Sequence, residues 1–330
     1  MREIRINFTD FWPDFIKTNN YFYNLLIQNY KVIIDEINPD LLIYSCYSEE
    51  YLRYKCIRIF FTGENVRPDF TACDFAFSFD YKTRKNHFRL PLYSLYIDHH
   101  KMLEQLTYEK TRLEAQKKWE SKSKFCCMVV SNAKCQKRLD FFKNLSKFKK
   151  VDSGGKIFNN VGGPVEDKYD FIKDYKFVLS FENSSYIRYT TEKILDPIYK
   201  DCIPVYWGNP LVSNDFNDKR YIDYDDYETE EKLISRLIEI DENDELAIDM
   251  ILQPPFSEKK ITHEQEHIEV LQILIKIIQS KKKPIAIGFW SEIHCLKLYY
   301  KGFKMSFLIF YKRVDKKIKL SFPNRIFILK

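Results

Sequence analysis

The stretch YKFVLSFENSSYIRYTTEK, residues 175–193, decides the fold. Tyr175 to Phe181 is an almost continuous apolar run, the pattern of a strand buried on both faces of a parallel sheet. The strand ends in Glu182 and Asn183. A helix begins near Thr190 or Thr191, either of which can cap it. TTEKILDPIYK continues that helix, with Pro197 set to kink it or end its regular hydrogen bonding, and IPVYWGNP (203–210) is the next strand, ending at a Gly/Pro turn.

Outward from this unit the same rhythm repeats. Upstream lie the strand FCCMVVSN (125–132), the amphipathic helix RLDFFKNLSKF (138–148) and the strand VDSGGK (151–156) running into a Gly turn. The first half alternates likewise. EIRINF is a strand, NNYFYNLLIQNY (19–30) a helix, LLIYSCY a second strand and CIRIFFTGEN a strand that ends at Gly63, with DFAFSF and FRLPLYSLY (88–96) following as apolar segments. A polar, helix-favouring stretch from about His99 to Lys122 reads as an interdomain linker. Strands alternating with helices predict parallel sheets covered on both faces, so the fold class is α/β, two Rossmann-like domains facing a central cleft. The expected boundaries are 1–120, 121–257, and a helical, basic, aromatic tail over 258–330 that opens with the amphipathic HIEVLQILIKIIQ.

At 330 residues the chain exceeds what one core usually supports, which agrees with two domains. Eight cysteines show no CxxC pair and no zinc-type spacing, so buried free thiols are expected and no metal site is. No run of 18 apolar residues appears, and MREIRINFTDFW lacks a basic-then-apolar leader, which predicts a cytoplasmic protein. From Lys276 onward fourteen Lys/Arg face only Glu292 and Asp315, a net +12, which against the whole-chain +6 leaves −6 on the body. A nucleic-acid enzyme carries its basic surface on the body, so nucleic acid is not expected as a partner. Large apolar residues interleaved with the basic ones over 276–330 fit an anionic membrane surface, placing the protein peripherally on an inner membrane face. A β segment with a solvated Lys face fits the same residues, since KIKLSF and RIFILK alternate like strands.

Ligands of open α/β sheets bind at the carboxyl ends of the strands. At one such end, IFFTGEN, Glu64 follows a turn at Gly63. The apolar run behind it would desolvate the carboxylate and suit it to general-base work, although a loop cap is an equal reading. At the second, helix N-terminal amides and Lys193 form an anion site, and Lys193 needs an anionic partner that a diphosphate would supply. Arg188 reads as a solvated loop arginine beside it. At the third, VVSNAKCQKRLDFF, Arg138 lies early in the helix, where its fork can reach a phosphate or simply face solvent. Neither G-x-G-x-x-G nor a Walker sequence occurs. DYDDY (223–227) lies in a Tyr-rich loop after these strand ends and is not taken as a metal motif.

The motifs FFTGEN (60–65), CDFAFSFDY (73–81), RLPLY (89–93), VVSN…R (129–138), VDSGGK (151–156), YKFVLSFENS…YTTEKILD (175–196) and IPVYWGNP (203–210) together resemble the α-1,3-fucosyltransferases of glycosyltransferase family 10, bacterial type. The resemblance covers roughly residues 56–256, and the FEN…TEK block is its most specific part. It implies a GT-B fold and inverting transfer of L-fucose from GDP-β-L-fucose to a hydroxyl of a GlcNAc or Glc unit, as in N-acetyllactosamine-like acceptors on surface glycans such as lipopolysaccharide. By position it makes Glu64 the general base, Glu192 a donor ligand that stabilises charge on the fucose ring, and Arg138 and Lys193 the charges on the GDP leaving group. Asn183 and Tyr189 line the nucleotide pocket, and GDP-fucose is the donor with no further cofactor required. Ile187 and Arg188 depart from the family pattern and leave a different GDP-sugar as the alternative donor. A non-catalytic glycan- or membrane-binding relative is the other reading.

Overall fold

The computed structural model describes residues 1–81, 84–280 and 282–301. Two parallel sheets organise it. The first contains β1 (Arg2–Thr9), β2 (Tyr30–Ile34), β3 (Leu41–Tyr44), β4 (Ile57–Phe61), β5 (Phe75–Ser78) and β6 (His87–Arg89), in spatial order 2-1-3-4-5-6. The second contains β7 (Lys124–Met128), β8 (Val151–Ser153), β9 (Tyr175–Phe181), β10 (Ile203–Trp207) and β11 (Ile222–Asp223), in order 11-10-9-7-8. The helices are α1 (Tyr21–Leu26), α2 (Leu92–His99), α3 (Leu103–Thr107), α4 (Arg112–Glu120), α5 (Gln136–Leu145), α6 (Lys168–Ile172), α7 (Glu192–Tyr199), α8 (Glu230–Glu242), α9 (Asp244–Leu252) and α10 (His263–Gln279). Each sheet reverses strand order once, between β1 and β3 and between β7 and β9.

Three sequence expectations change. The helix expected over residues 19–30 is only α1, capped by the Asn20 side chain. Tyr30 already starts β2, whose YKVII is β-branched and pairs with β1 from Arg2↔Tyr30 to Ile6↔Ile34. Within FRLPLYSLY, Pro91 ends the extended run and sits just before α2. The stretch His99–Lys122 is more than a linker. Thr111 and Glu114 form a capping box on α4, and Ala115 and Trp119 are buried in the second domain's core. Finally, α10 is not part of a separate tail, because the chain returns and buries Val270 and Leu274 in the first domain's core.

Pro197 sits inside α7, which stops two residues later at Tyr199. Among the described residues five cysteines are buried and Cys295 is exposed, all as free thiols. Among them, too, no helix is long and apolar enough to cross a membrane. Residues 289–301 are helical. KIKLSF and RIFILK lie outside the described residues.

Candidate active site

Both order reversals open toward one pocket of about 350 Å³ between the domains. A reversal leaves the two following loops diverging, which makes a crevice at the carboxyl ends of the strands. Trp12 after β1, Tyr47 after β3 and Gly63 and Glu64 after β4 line it from the first domain, with Leu92 and Tyr96 from α2. Val129–Asn132 after β7, Asn183 after β9, and Tyr189, Thr191, Glu192 and Lys193 line it from the second, with Arg138 from α5. All six site residues expected from sequence therefore meet in one place.

Glu64 is half-buried. Phe60 and Phe61 pack into separate cores on the two sheet faces, so they do not wrap its carboxylate as the sequence suggested. Its partner is Tyr47, whose hydroxyl donates to Oε1 at 2.9 Å and leaves Oε2 without a hydrogen bond among the described residues.

Lys193 has a protein partner. The fully buried Glu182 lies 3.2 Å from its Nζ, Thr191 Oγ1 accepts from it at 2.9 Å, and Glu192 lies 3.5 Å away. Thr191 donates its backbone N–H to Glu182 Oε1 at 2.7 Å, so its hydroxyl faces Glu182 instead of closing the helix cap. Burial pushes the Glu182 carboxyl up, and Lys193 and Thr191 work against that rise. Burial opposes the charge on Lys193, yet Glu182 and Glu192 hold its ammonium above the ordinary lysine range. For Glu192 burial is likewise outweighed, by Lys193 and then Lys168, and its carboxyl stays below the ordinary value. The diphosphate that the sequence seemed to demand as a partner is thus not needed to hold Lys193 in place.

Arg138 is completely buried, and its fork is already occupied. One terminal nitrogen donates to Phe181 O at 2.9 Å and the other to Asn132 O at 2.5 Å, which ties β9 to the β7 loop. Its Nε has no hydrogen-bond partner. It is therefore a positive charge set beneath the pocket and not a free bidentate arm. Gly155 lets this loop close up, because a Cβ there would lie 2.0 Å from Val130 O.

Arg188 is not a solvated arginine. Its guanidinium lies 4.0 Å over the Tyr81 ring, and its left-handed backbone (φ +77°) is held by Asn209 Oδ1, which accepts from its N–H at 2.5 Å. Tyr81 also accepts from Asn214 at 2.7 Å, and Arg89 meets the buried Asp215 at 2.6 Å, so this edge locks the two domains together. Sequence reasoning missed Glu182 as the partner of Lys193, and also Tyr47, Trp12 and Tyr96. Tyr47 and Trp12 follow strand ends, the one signal that pointed to them. Asp223 of DYDDY caps a short turn, accepting from Asp225 N at 3.1 Å.

Residues 6–96 match the family model for the α-(1,3)-fucosyltransferase FucT N-terminal domain, and residues 119–249 that for the glycosyltransferase family 10 (fucosyltransferase) C-terminal domain. Together they take in about two thirds of the chain. The chain belongs to glycosyltransferase family 10. Among similar proteins, the α-(1,3)-fucosyltransferase FucT of Helicobacter pylori is 29% identical over 272 residues, 72% of this chain and 57% of that protein. A chimpanzee 4-galactosyl-N-acetylglucosaminide 3-α-L-fucosyltransferase 9 is 34% identical over 133 residues, 39% of this chain and 36% of that one. This family 10 chain thus spans little more than half the length of the first of these relatives, and less of the second. A crystal structure of an α1,3-fucosyltransferase with GDP-fucose superposes with TM-score 0.69 at 25% identity, covering 85% of this chain and 92% of that one. The family's GT-B architecture, two Rossmann-like domains about a cleft, is the one described above.

Proposed function

We propose that this chain is a GDP-fucose-dependent α-1,3-fucosyltransferase that inverts the anomeric centre of GDP-β-L-fucose and acts on a GlcNAc or Glc hydroxyl of an N-acetyllactosamine-like surface glycan. One observation carries the reading: a single pocket joins the carboxylate of Glu64 from one domain to the cations and carboxylate of Lys193, Arg138 and Glu192 from the other. Glycosyl transfer needs that opposition, a base on the attacking hydroxyl and positive charge on the departing phosphate.

Glu64 takes the acceptor proton on Oε2 while Tyr47 fixes Oε1. The acceptor oxygen bonds to the fucose anomeric carbon from the face opposite GDP. The bond from that carbon to the phosphate oxygen breaks, and its electron pair leaves with GDP. Lys193, held in advance by Glu182, stabilises the charge growing on the diphosphate, and Arg138 adds a buried positive field behind it. Glu192, held ionised, faces the positive charge that spreads over the fucose ring. Asn183 and Tyr189 complete the nucleotide wall. The protein's own cations thereby do the work that a metal ion does in other glycosyltransferases.

The variant Glu64→Ala separates chemistry from binding. It is expected to bind GDP-fucose with unchanged affinity and to transfer fucose at least about 100-fold more slowly. Unchanged transfer removes Glu64 from its role.

The basic region from Lys276 supports a second partner. Helix 289–301 exposes Phe289, Trp290, Tyr299 and Tyr300 beside Lys297 and Lys301, a surface suited to anionic lipid headgroups on the cytoplasmic face of an inner membrane.

A further inference from the structure

Away from the cleft, α10 returns across the first domain and places two histidines one turn apart, His263 and His267, opposite Asp98 near the end of α2. One ligand atom from each of the three lies within 4.8 Å of the others. His267 Nε2 is 3.6 Å from Asp98 Oδ1, and the two imidazole rings are 4.4 Å apart between centroids. His263 is 6% exposed, and neither of its ring nitrogens makes a hydrogen bond. His267 Nε2 and Glu266 Oε1 are likewise buried without hydrogen-bond partners. Orphaned buried polar atoms are costly, and four in one place call for an explanation.

We propose that His263, His267 and Asp98 bind one divalent transition-metal ion of the zinc class. Tetrahedral bonds of about 2.0–2.1 Å place ligand atoms about 3.4 Å apart, so the Asp98–His267 pair at 3.6 Å is nearly in position and His263, within 4.8 Å of both, has at most about 1.4 Å to close. Two imidazoles with one carboxylate select zinc-like ions over magnesium or calcium, which prefer all-oxygen sites. His263 Nδ1 lies 3.8 Å from Glu266 Oε1, which assigns Nε2 to the metal and makes the Glu266 carboxylate the group that orients the ring. The other Glu266 oxygen faces Lys260 at 3.9 Å, which balances its charge. The half-exposed side chains of Asp98 and His267 leave a path for entry and a position for water.

Such an ion ties the returning helix α10 to α2, the helix whose Leu92 and Tyr96 wall the cleft. The whole second domain lies between the two attachment points, so the cross-link closes a very long loop and steadies the cleft wall.

The test uses the full chain, treated with chelator, desalted and titrated with Co²⁺. One equivalent is expected to give visible d–d bands of low-coordinate cobalt, without the intense near-ultraviolet band of thiolate ligation, and Zn²⁺ should displace it. Asp98→Asn and His267→Gln, both at partly exposed positions, are expected to keep the far-ultraviolet circular dichroism of the parent and to weaken Co²⁺ binding at least about 100-fold. Zn²⁺ should also raise the thermal midpoint of the parent and not of the variants. No cobalt spectrum at about 100 µM, a thiolate band, or binding untouched by both substitutions overturns the assignment. The wild-type spectrum decides even if a variant fails to fold.

Discussion

Glu182 is the residue on which the preorganisation of the candidate site depends, and replacing it by glutamine tests that directly. Glu182 is fully buried and Lys193 is 18% exposed, so solvent does little to screen the pair. Glutamine keeps the shape and an oxygen for the Thr191 N–H. It removes the charge facing Lys193 and sets an N–H₂ group against the ammonium or the Thr191 hydroxyl. Losing one partner of a buried ion pair costs about 3–5 kcal/mol, and losing a charged hydrogen bond about 1.5–3 kcal/mol. Glu192 still faces Lys193 at 3.5 Å and keeps part of the pairing, which places the expected loss below the ion-pair range, at about 2–3 kcal/mol. With a urea slope of about 2 kcal/mol per molar, the unfolding midpoint should fall by about 1 M. With Lys193 in its proposed role on the donor phosphates, losing this hold should also lower kcat/KM for GDP-fucose about 10- to 100-fold, equivalent to about 1.4–2.8 kcal/mol. Urea titration by circular dichroism and a fucose-transfer assay read the two effects on one preparation. A variant within about 0.5 kcal/mol of the parent and with unaltered kcat/KM refutes the reasoning.

Arg89→Leu leaves Asp215, 4% exposed, without its cation, and should cost about 3 kcal/mol in urea unfolding. Burial, followed by Asp226 and Asp225, raises the Asp223 carboxyl to about 6. Below about pH 4 this group favours the fold, and the favour is lost as pH climbs through 6, because the folded state holds the proton longer than the unfolded one. Asp223→Asn keeps the turn cap, so it should flatten stability between pH 4 and 6 and add about 1–2 kcal/mol at pH 8, read from urea midpoints against pH. Sedimentation with phosphatidylserine vesicles should carry down the full chain, more so at low salt, and leave a chain ending at Ser280 in solution; equal sedimentation of both removes the membrane partner.

Much of the fold is legible in the sequence because a parallel strand buried on both faces writes itself as an apolar run, as in KFCCM and YKFVLSF. β2 escaped because LLIQNY extends a helix-like pattern into it, and no Gly or Pro marks the break. The linker reading failed at α4 because its core contact rests on two residues, Ala115 and Trp119, too few to form a stripe. In the site, residues at strand ends were legible as types: a carboxylate after a turn, a lysine at a helix start. Their partners were not. Glu182 and Lys193 are eleven positions apart, and nothing in the sequence says that a strand's last carboxylate folds under the next helix. The same holds for Arg138, whose fork meets carbonyls of Asn132 and Phe181 that only tertiary packing brings together. Asp98 and His263 lie farther apart still, with an entire domain between them.

The most direct test of the central claim is the anomeric outcome of transfer. The chain is incubated with GDP-β-L-fucose and N-acetyllactosamine, GDP release is followed, and the product linkage is read by proton NMR. The account predicts stoichiometric GDP and an α-1,3-linked fucose on the GlcNAc unit. A β-linked product, or GDP-fucose left unbound and intact, contradicts it.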